Sequence, residues 1–244
     1  GFYRGNDQKF KFSLNYNNKS IKNIEDPEKN ILDPEYLNQS DFSYIQLGIQ
    51  YKYDTRDIYI DPNSGILFSI ELNNILGLNG TQNIYDMETY FNMYKNLCKN
   101  YFNPIFRYKL FTKIQSSNSE LPIFRKEYIG GQGYVRGYSP IPSDNSINNS
   151  RKLIEVDNFL INTIEIQGTL IKRKEYVEKV EMGLDIVLFS DWGVGDNLQA
   201  RSESMNFNNS LFGYGIGLRI FLMGGVIELD YSFNRHGTSR LHLF

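Results

Sequence analysis

The sequence predicts an all-β fold, an antiparallel transmembrane β-barrel, and three observations carry the prediction. Almost every segment alternates apolar with polar residues at period two, the signature of strands with two different faces. The apolar faces stay free of charge over whole strands, while Lys, Arg, Asp and Glu collect on the polar ones. A wall with lipid on one side and a polar lumen on the other has that purity. The joints alternate long with short along the chain, as they do when loops gather at one end of a barrel and tight turns at the other.

Taken in order, "KFKFSLNYN" sets Phe10, Phe12, Leu14 and Tyr16 against Lys11, Ser13 and Asn15. "YIQLGIQYKYD" sets Ile45, Leu47, Ile49, Tyr51 and Tyr53 against Gln46, Gln50, Lys52 and Asp54, and "GILFSIELN" opposes Ile66, Phe68, Ile70 and Leu72 to Ser69, Glu71 and Asn73. "IYDMETYFNMY" alternates more weakly, but "YFNPIFRYKLF" puts Phe102, Phe106, Tyr108 and Leu110 opposite Asn103, Arg107 and Lys109. Downstream, "LINTIEIQGTL" sets Leu160, Ile164 and Ile166 against Thr163, Glu165, Gln167 and Thr169. "EMGLDIVLFSD" sets Met182, Leu184, Ile186 and Leu188 against Asp185, Phe189 and Asp191. "FGYGIGLRIFL" sets Tyr214, Ile216, Leu218 and Ile220 against three glycines and Arg219. "VIELDYSFN" sets Ile227, Leu229, Tyr231 and Phe233 against Glu228, Asp230, Ser232 and Asn234, and "RLHLF" begins a last strand, making ten candidates.

Between them, Asn17 to Asp41 is long, "TRDIYIDPNSG" shorter, "NNILGLNGTQN" intermediate, "KNLCKN" short and Ser116 to Asp157 the longest. Then come "KRKEY", short, "GVGDNLQARSESMNFNN", long, "MGG", tight, and "NRHGTS". Trp192 and the strand-end tyrosines are candidates for interfacial girdles.

The 244 residues suffice for one barrel domain, and 18 Tyr and 17 Phe with abundant Asn favour strands and turns over helices. Lys and Arg number 26 against 28 Asp and Glu, so the net charge of -2 supplies no field for nucleic acid, and none is expected as a partner. Cys98 is the sole cysteine and there are two histidines, so no disulfide, structural metal or cofactor is expected. No apolar run approaches the ~18 residues of a membrane helix, and a mean hydropathy of -0.44 is compatible with a barrel whose alternate residues face a polar lumen. A soluble sandwich or lipocalin-like barrel also alternates, but it carries its charge outside and its apolar residues within. Gly1 in place of a methionine reads as a processed or cut chain.

Arg136 sits in "GGQGYVRGYSP", residues 130–140, within the longest joint and with no helix beside it to bind a phosphate. Taken alone, "VRGY" is a solvated loop tip. The alternation, however, turns Glu165, Phe189 and Asp191 to the polar side. A guanidinium confined in a lumen needs such partners, because an unpaired charge there is costly and a carboxylate at ~4 Å returns on the order of 4 kcal/mol. The planar fork suits bidentate pairing and stacking on Phe189, and Gly130, Gly131, Gly133 and Gly137 give the backbone freedom to turn inward. In "YDTRD", Asp54, Arg56 and Asp57 read either as part of a motif or as solvation of a turn.

Together "VRGY", "FSDWG" and "YDTRD" followed by "PNSG" resemble the BamA/TamA/FhaC superfamily of outer-membrane assembly and secretion barrels, the bacterial surface antigen family. The motifs stand in that family's order and cover most of the chain. The resemblance implies that Val135, Arg136, Gly137 and Tyr138 form the tip of the sixth extracellular loop, folded back into the lumen. It implies that Arg136 meets acidic residues of the wall, with Phe189, Asp191 and Gly193 matching an F-x-D-x-G pattern on the thirteenth strand and Glu165 at the other acidic position. Mapped by order, the ten strands are the seventh to sixteenth of a sixteen-stranded barrel. Residues 1–244 would then be the C-terminal part of a barrel domain whose first strands and POTRA repeats are absent, a fragment unless another copy donates strands. An open half-barrel exposes unpaired edges to lipid.

The function so implied is the insertion and folding of β-barrel proteins into the outer membrane through a lateral seam. The alternative within the superfamily is a two-partner-type pore secreting one polypeptide. The implied partners are the outer-membrane bilayer, unfolded β-barrel clients or a secreted polypeptide, and accessory assembly subunits. The implied location is the bacterial outer membrane, or that of an organelle. No enzyme is expected: His236 and His242 lie near Asp230, but no G-x-S-x-G occurs, and lumen carboxylates ordinarily balance lumen cations. A passive porin is disfavoured because a loop pinned by Arg136 obstructs flow.

Overall fold

A computed structural model describes residues 2–3, 7–20, 41–78, 82–99, 101–118, 121–141, 154–177, 180–196, 210–222 and 225–243. Its strands are β1 (Phe2–Tyr3), β2 (Gln8–Ser20), β3 (Asp41–Asp54), β4 (Gly65–Leu78), β5 (Ile84–Asn96), β6 (Ile105–Ser117), β7 (Glu127–Tyr128), β8 (Glu155–Val156), β9 (Asn158–Val177), β10 (Val180–Asp196), β11 (Leu211–Leu222), β12 (Gly225–Asn234) and β13 (Ser239–Leu243). Eleven of these make one sheet in chain order, each antiparallel to its neighbour, and β7 and β8 form a separate ribbon inside the longest joint, so that β6 pairs with β9. The ten long candidate strands correspond to β2–β6 and β9–β13. Among the described residues the sheet is not closed, and β1 and β13 stand at its two ends.

Alternation becomes two faces. Phe12, Leu14, Tyr16, Leu47, Ile49, Leu188 and Ile216 are exposed on one, while Glu165, Gln167, Asp185, Asp191, Arg219 and Asp230 are buried on the other. The weak alternation of β5 also has a cause: Tyr90 and Tyr94 share the polar face, and Asn92 Nδ2 donates to both hydroxyls, at 2.8 and 3.1 Å. Burial on the polar face near Arg136 comes from the longest joint lying against it. Near one end Leu121 packs with Tyr44, Ile75 and Ile84, and Phe124 meets Phe42 edge-on at 4.8 Å. Farther along, the same joint reaches β9 to β12. One segment that touches both β3 and β12 requires the polar face to be concave.

Several boundaries differ from expectation: β2 runs on to Ser20, and β6 starts only at Ile105, so Phe102 and Asn103 lie in the turn before it. "NNILGL" continues β4 to Leu78, because Asn73 is a lumen-side member of the ladder whose amide is held by Gln46, Glu71 and Asp86 rather than a turn former. "KRKEY" is strand too: β9 runs to Val177, with register shifts against β10. Twenty residues far exceed the ~9–11 that cross a bilayer, so this hairpin end needs no apolar alternation. Finally, Gly193 to Gly195 belong to β10, paired with Ile161, Leu160 and Phe159. Most of the joint after Asn17, residues 142–153 of the longest joint, residues 197–209 and the first two residues of "MGG" lie outside the described residues.

Candidate functional site

The site is built where the longest joint turns back. Gly131 N–H donates to Val135 O at 3.0 Å and Val135 N–H to Ile129 O at 3.1 Å, so residues 129–135 close a tight bend that presents Arg136 at its exit. Val135 and Tyr138 are fully buried with Ile129, Ile154, Val156, Phe159, Ile161 and Leu211, and this apolar cluster holds the bend against β9 and β11. Between these two anchors Arg136 has one direction left, toward the wall.

Arg136 is almost fully buried. Its Nε and Nη2 donate to the two oxygens of Asp191, each at 2.7 Å, and its own backbone N–H donates to Asp191 Oδ2 at 3.0 Å. Nη1 donates to Asp230 Oδ2 at 2.9 Å, and Nη2 lies 2.9 Å from Glu165 Oε1, a charge contact without hydrogen-bond alignment. The guanidinium carbon stands 3.5 Å from the centre of the Phe189 ring. A planar fork with five donors can meet this set at once, whereas an ammonium cannot. Burial acts most strongly on the Arg136 charge and opposes it, but the hydrogen bonds and charge of Asp191, with Glu165 and Asp230, outweigh it and raise the pKa.

The carboxylates have further cations. Glu165 Oε2 accepts from Arg107 Nη1 at 2.9 Å and Lys109 Nζ lies 3.7 Å from Oε1, while Asp230 Oδ1 accepts from Arg219 Nη1 at 2.5 Å. Three acidic residues, on β9, β10 and β12, thus face three basic ones on β6 and β11 together with Arg136 of the loop, which limits the charge left unbalanced in the lumen.

The remaining motif residues shape the seat. Gly137 takes φ 93, and a Cβ there would stand 2.8 Å from Phe233 O; its carbonyl accepts from Asn234 Nδ2 at 3.0 Å. Gly193 leaves the space that Val135 fills, since a Cβ would lie 2.6 Å from Val135 Cγ2. The Tyr138 hydroxyl sits 3.3 Å from the donating Phe212 N–H. Val135, Arg136, Gly137, Tyr138, Glu165, Phe189, Asp191 and Gly193 therefore lie in one constellation.

Sequence reasoning missed Asp230 as a partner of Arg136, and Arg107, Lys109 and Arg219 as the balancing cations. Their common signal was membership of the polar faces. His242, weighed for an enzyme, pairs in register with Asp230 on β12, and its Nε2 accepts from Gly137 N–H at 3.4 Å. His236 lies in the β12–β13 turn, with its ring edge-on to Tyr138. Among the described residues no group of three or more His, Cys, Asp or Glu is placed to hold a metal ion.

No curated protein matches the chain. The family model of the Omp85 superfamily domain matches residues 1–243, nearly the whole of it. An open antiparallel wall with a lipid-type outer face and a polar inner one agrees with that match, and the chain belongs to the Omp85 superfamily of outer-membrane insertion and secretion barrels.

Proposed function

We propose that this chain is the wall and loop of a bacterial assembly factor that folds β-barrel proteins into the outer membrane through a lateral seam, with Arg136 holding the loop inside. One observation carries the reading: the guanidinium of a loop residue is buried against carboxylates of three wall strands, Glu165, Asp191 and Asp230. The neighbouring Gly137 also reaches Asn234 of β12 and His242 of β13, so the loop tip braces the last strands of the sheet. The mechanism asks for no bond-making chemistry. An edge strand offers unpaired N–H and C=O groups to a client strand, and β-augmentation templates its folding. Arg136 contributes stiffness: a wall held from within keeps its ladder while the edge exchanges partners.

The test uses the full-length protein in lipid vesicles, with an unfolded outer-membrane β-barrel added outside. The wild type is expected to speed client folding and Arg136→Ala to lose most of that gain while remaining inserted. Equal rates for both overturn the bracing role. A protein that moves polypeptide into the vesicle without folding any barrel into the membrane is the secretion pore instead.

A further inference from the structure

The turn between β3 and β4, residues 55–64, carries the "TRD" and "PNSG" motifs and takes no part in the Arg136 site. It is stiff. Asp57 Oδ1 accepts the backbone N–H groups of Ile58, Asn63 and Ser64 at 3.0 to 3.2 Å, and Arg56 pairs bidentately with Asp54 at 2.8 Å. Asp61, at φ 55, projects from it and its side chain is only 9% exposed. Among the described residues, the partners of the Asp61 side chain all lie outside its own hairpin. Its Oδ1 accepts from Gln167 Nε2 of β9 at 2.8 Å, its Oδ2 pairs with Arg173 of β9, and Arg107 Nη2 of β6 lies 3.9 Å away. Since β5 and β6 separate β4 from β9 in the sheet, the turn reaches β9 by crossing the open mouth rather than following the wall. Ile60 goes farther and lines a cavity of ≈ 230 Å³ with Arg219, Gly225, Val226 and Glu228.

This mouth is the end opposite the longest joint, because strand ends alternate. Arg107 connects the two ends: Nη1 bonds Glu165 at 2.9 Å, and Glu165 meets Arg136 at 2.9 Å. We propose that the β3–β4 turn is a second lumen latch, pinned by Asp61 across the short-turn mouth and coupled through Arg107 and Glu165 to the Arg136 latch. Release of Arg136 leaves Glu165 free to recruit Arg107 fully and draw it from Asp61, so loosening one latch loosens the other. The inference rests on the lumen role given to Arg136 and extends it to the opposite mouth.

The experiment uses full-length protein in vesicles with Cys98→Ser and a spin label at Ile58→Cys. Cleavage within residues 129–138 by added protease reports the loop separately. Asp61→Asn is expected to mobilise the label directly. Arg136→Ala is expected to expose the loop and raise the mobile-to-pinned ratio at position 58 roughly fivefold, the low end of ordinary site-to-site coupling. In an Arg107→Gln background, where each latch keeps its other partners, Arg136→Ala is expected to expose the loop without that rise. A label unmoved by Asp61→Asn, or unmoved by Arg136→Ala while the loop is cut, overturns the proposal. A loop left uncut by Arg136→Ala overturns the Arg136 latch itself, and the coupling with it.

Discussion

At Arg136 the side chain and the backbone are held by the same carboxylate, since Asp191 Oδ2 accepts both Nε and the N–H of residue 136. Removing the guanidinium strands Asp191, whereas Glu165 keeps Arg107 and Asp230 keeps Arg219. Arg136→Ala is therefore expected to destabilise the loop-docked state by about 3–5 kcal/mol, the cost of breaking a buried pair, and Asp191→Asn in the same chain to recover part of it. Urea titrations in vesicles check both, and an unrecovered loss would place the effect outside this pair. Gly137→Ala carries a different penalty, about 1–3 kcal/mol for an L side chain held at φ 93. Tyr134, in the loop, has its phenol pushed up to about 12, first by burial and then by the charge of Glu127, whose Oε2 accepts its hydroxyl proton at 3.3 Å. A raised folded pKa means that the stabilisation is complete below the unfolded value near 10 and is lost as pH rises through 12. The loop of the wild type should thus become protease-sensitive over pH 10–12, and Tyr134→Phe should flatten that dependence.

Elements explain why a long loop can lie flat on a wall. Gly213 of β11 is in register with Asp191 on one side and Asn234 on the other, and a Cβ at Gly213 would run into the carbonyl oxygen of Arg136. The missing side chain is the loop's seat. Gly213→Ala should lift residues 129–138 at about 1–3 kcal/mol, seen as faster amide exchange there, while the ladder of β10 to β12 exchanges unchanged. The three glycines facing inward on β11 were legible in the sequence as a face without side chains. Their use was not, because a seat becomes visible only once its occupant is in place. Asp230 shows the same limit. Its polar face was legible, but it stands 94 residues from Arg136, and no local pattern joins them. Strand bodies could be read from their faces, whereas ends such as "NNILGL" and "KRKEY" could not. Turn-forming Asn and charged Lys look alike whether they leave the ladder or extend it beyond the lipid.

On the scale of the whole molecule, the sheet inverts the ordinary relation between exposure and tolerance. Leu188 on β10, with its register partners Ile166 on β9 and Ile216 on β11, forms a fully apolar row in mid-strand, and all three side chains are exposed. In a water-soluble protein a surface substitution in such a row changes stability by no more than about 0.5 kcal/mol, and an arginine there would be harmless. In an outer-membrane wall the same row meets hydrocarbon, and Leu188→Arg should cost about 2–4 kcal/mol near the midplane. The inner face is built the other way, since Asp185, three residues away on the same strand and on its opposite face, is buried and accepts from Gln167 Nε2 at 2.7 Å. Folding into vesicles with urea-dependent equilibrium, comparing Leu188→Arg with Leu188→Ala, separates the charge from lost packing. A loss for arginine no larger than for alanine would mean that the exposed apolar faces do not lie in lipid, and the wall, its lumen and the buried Arg136 would then need another explanation together.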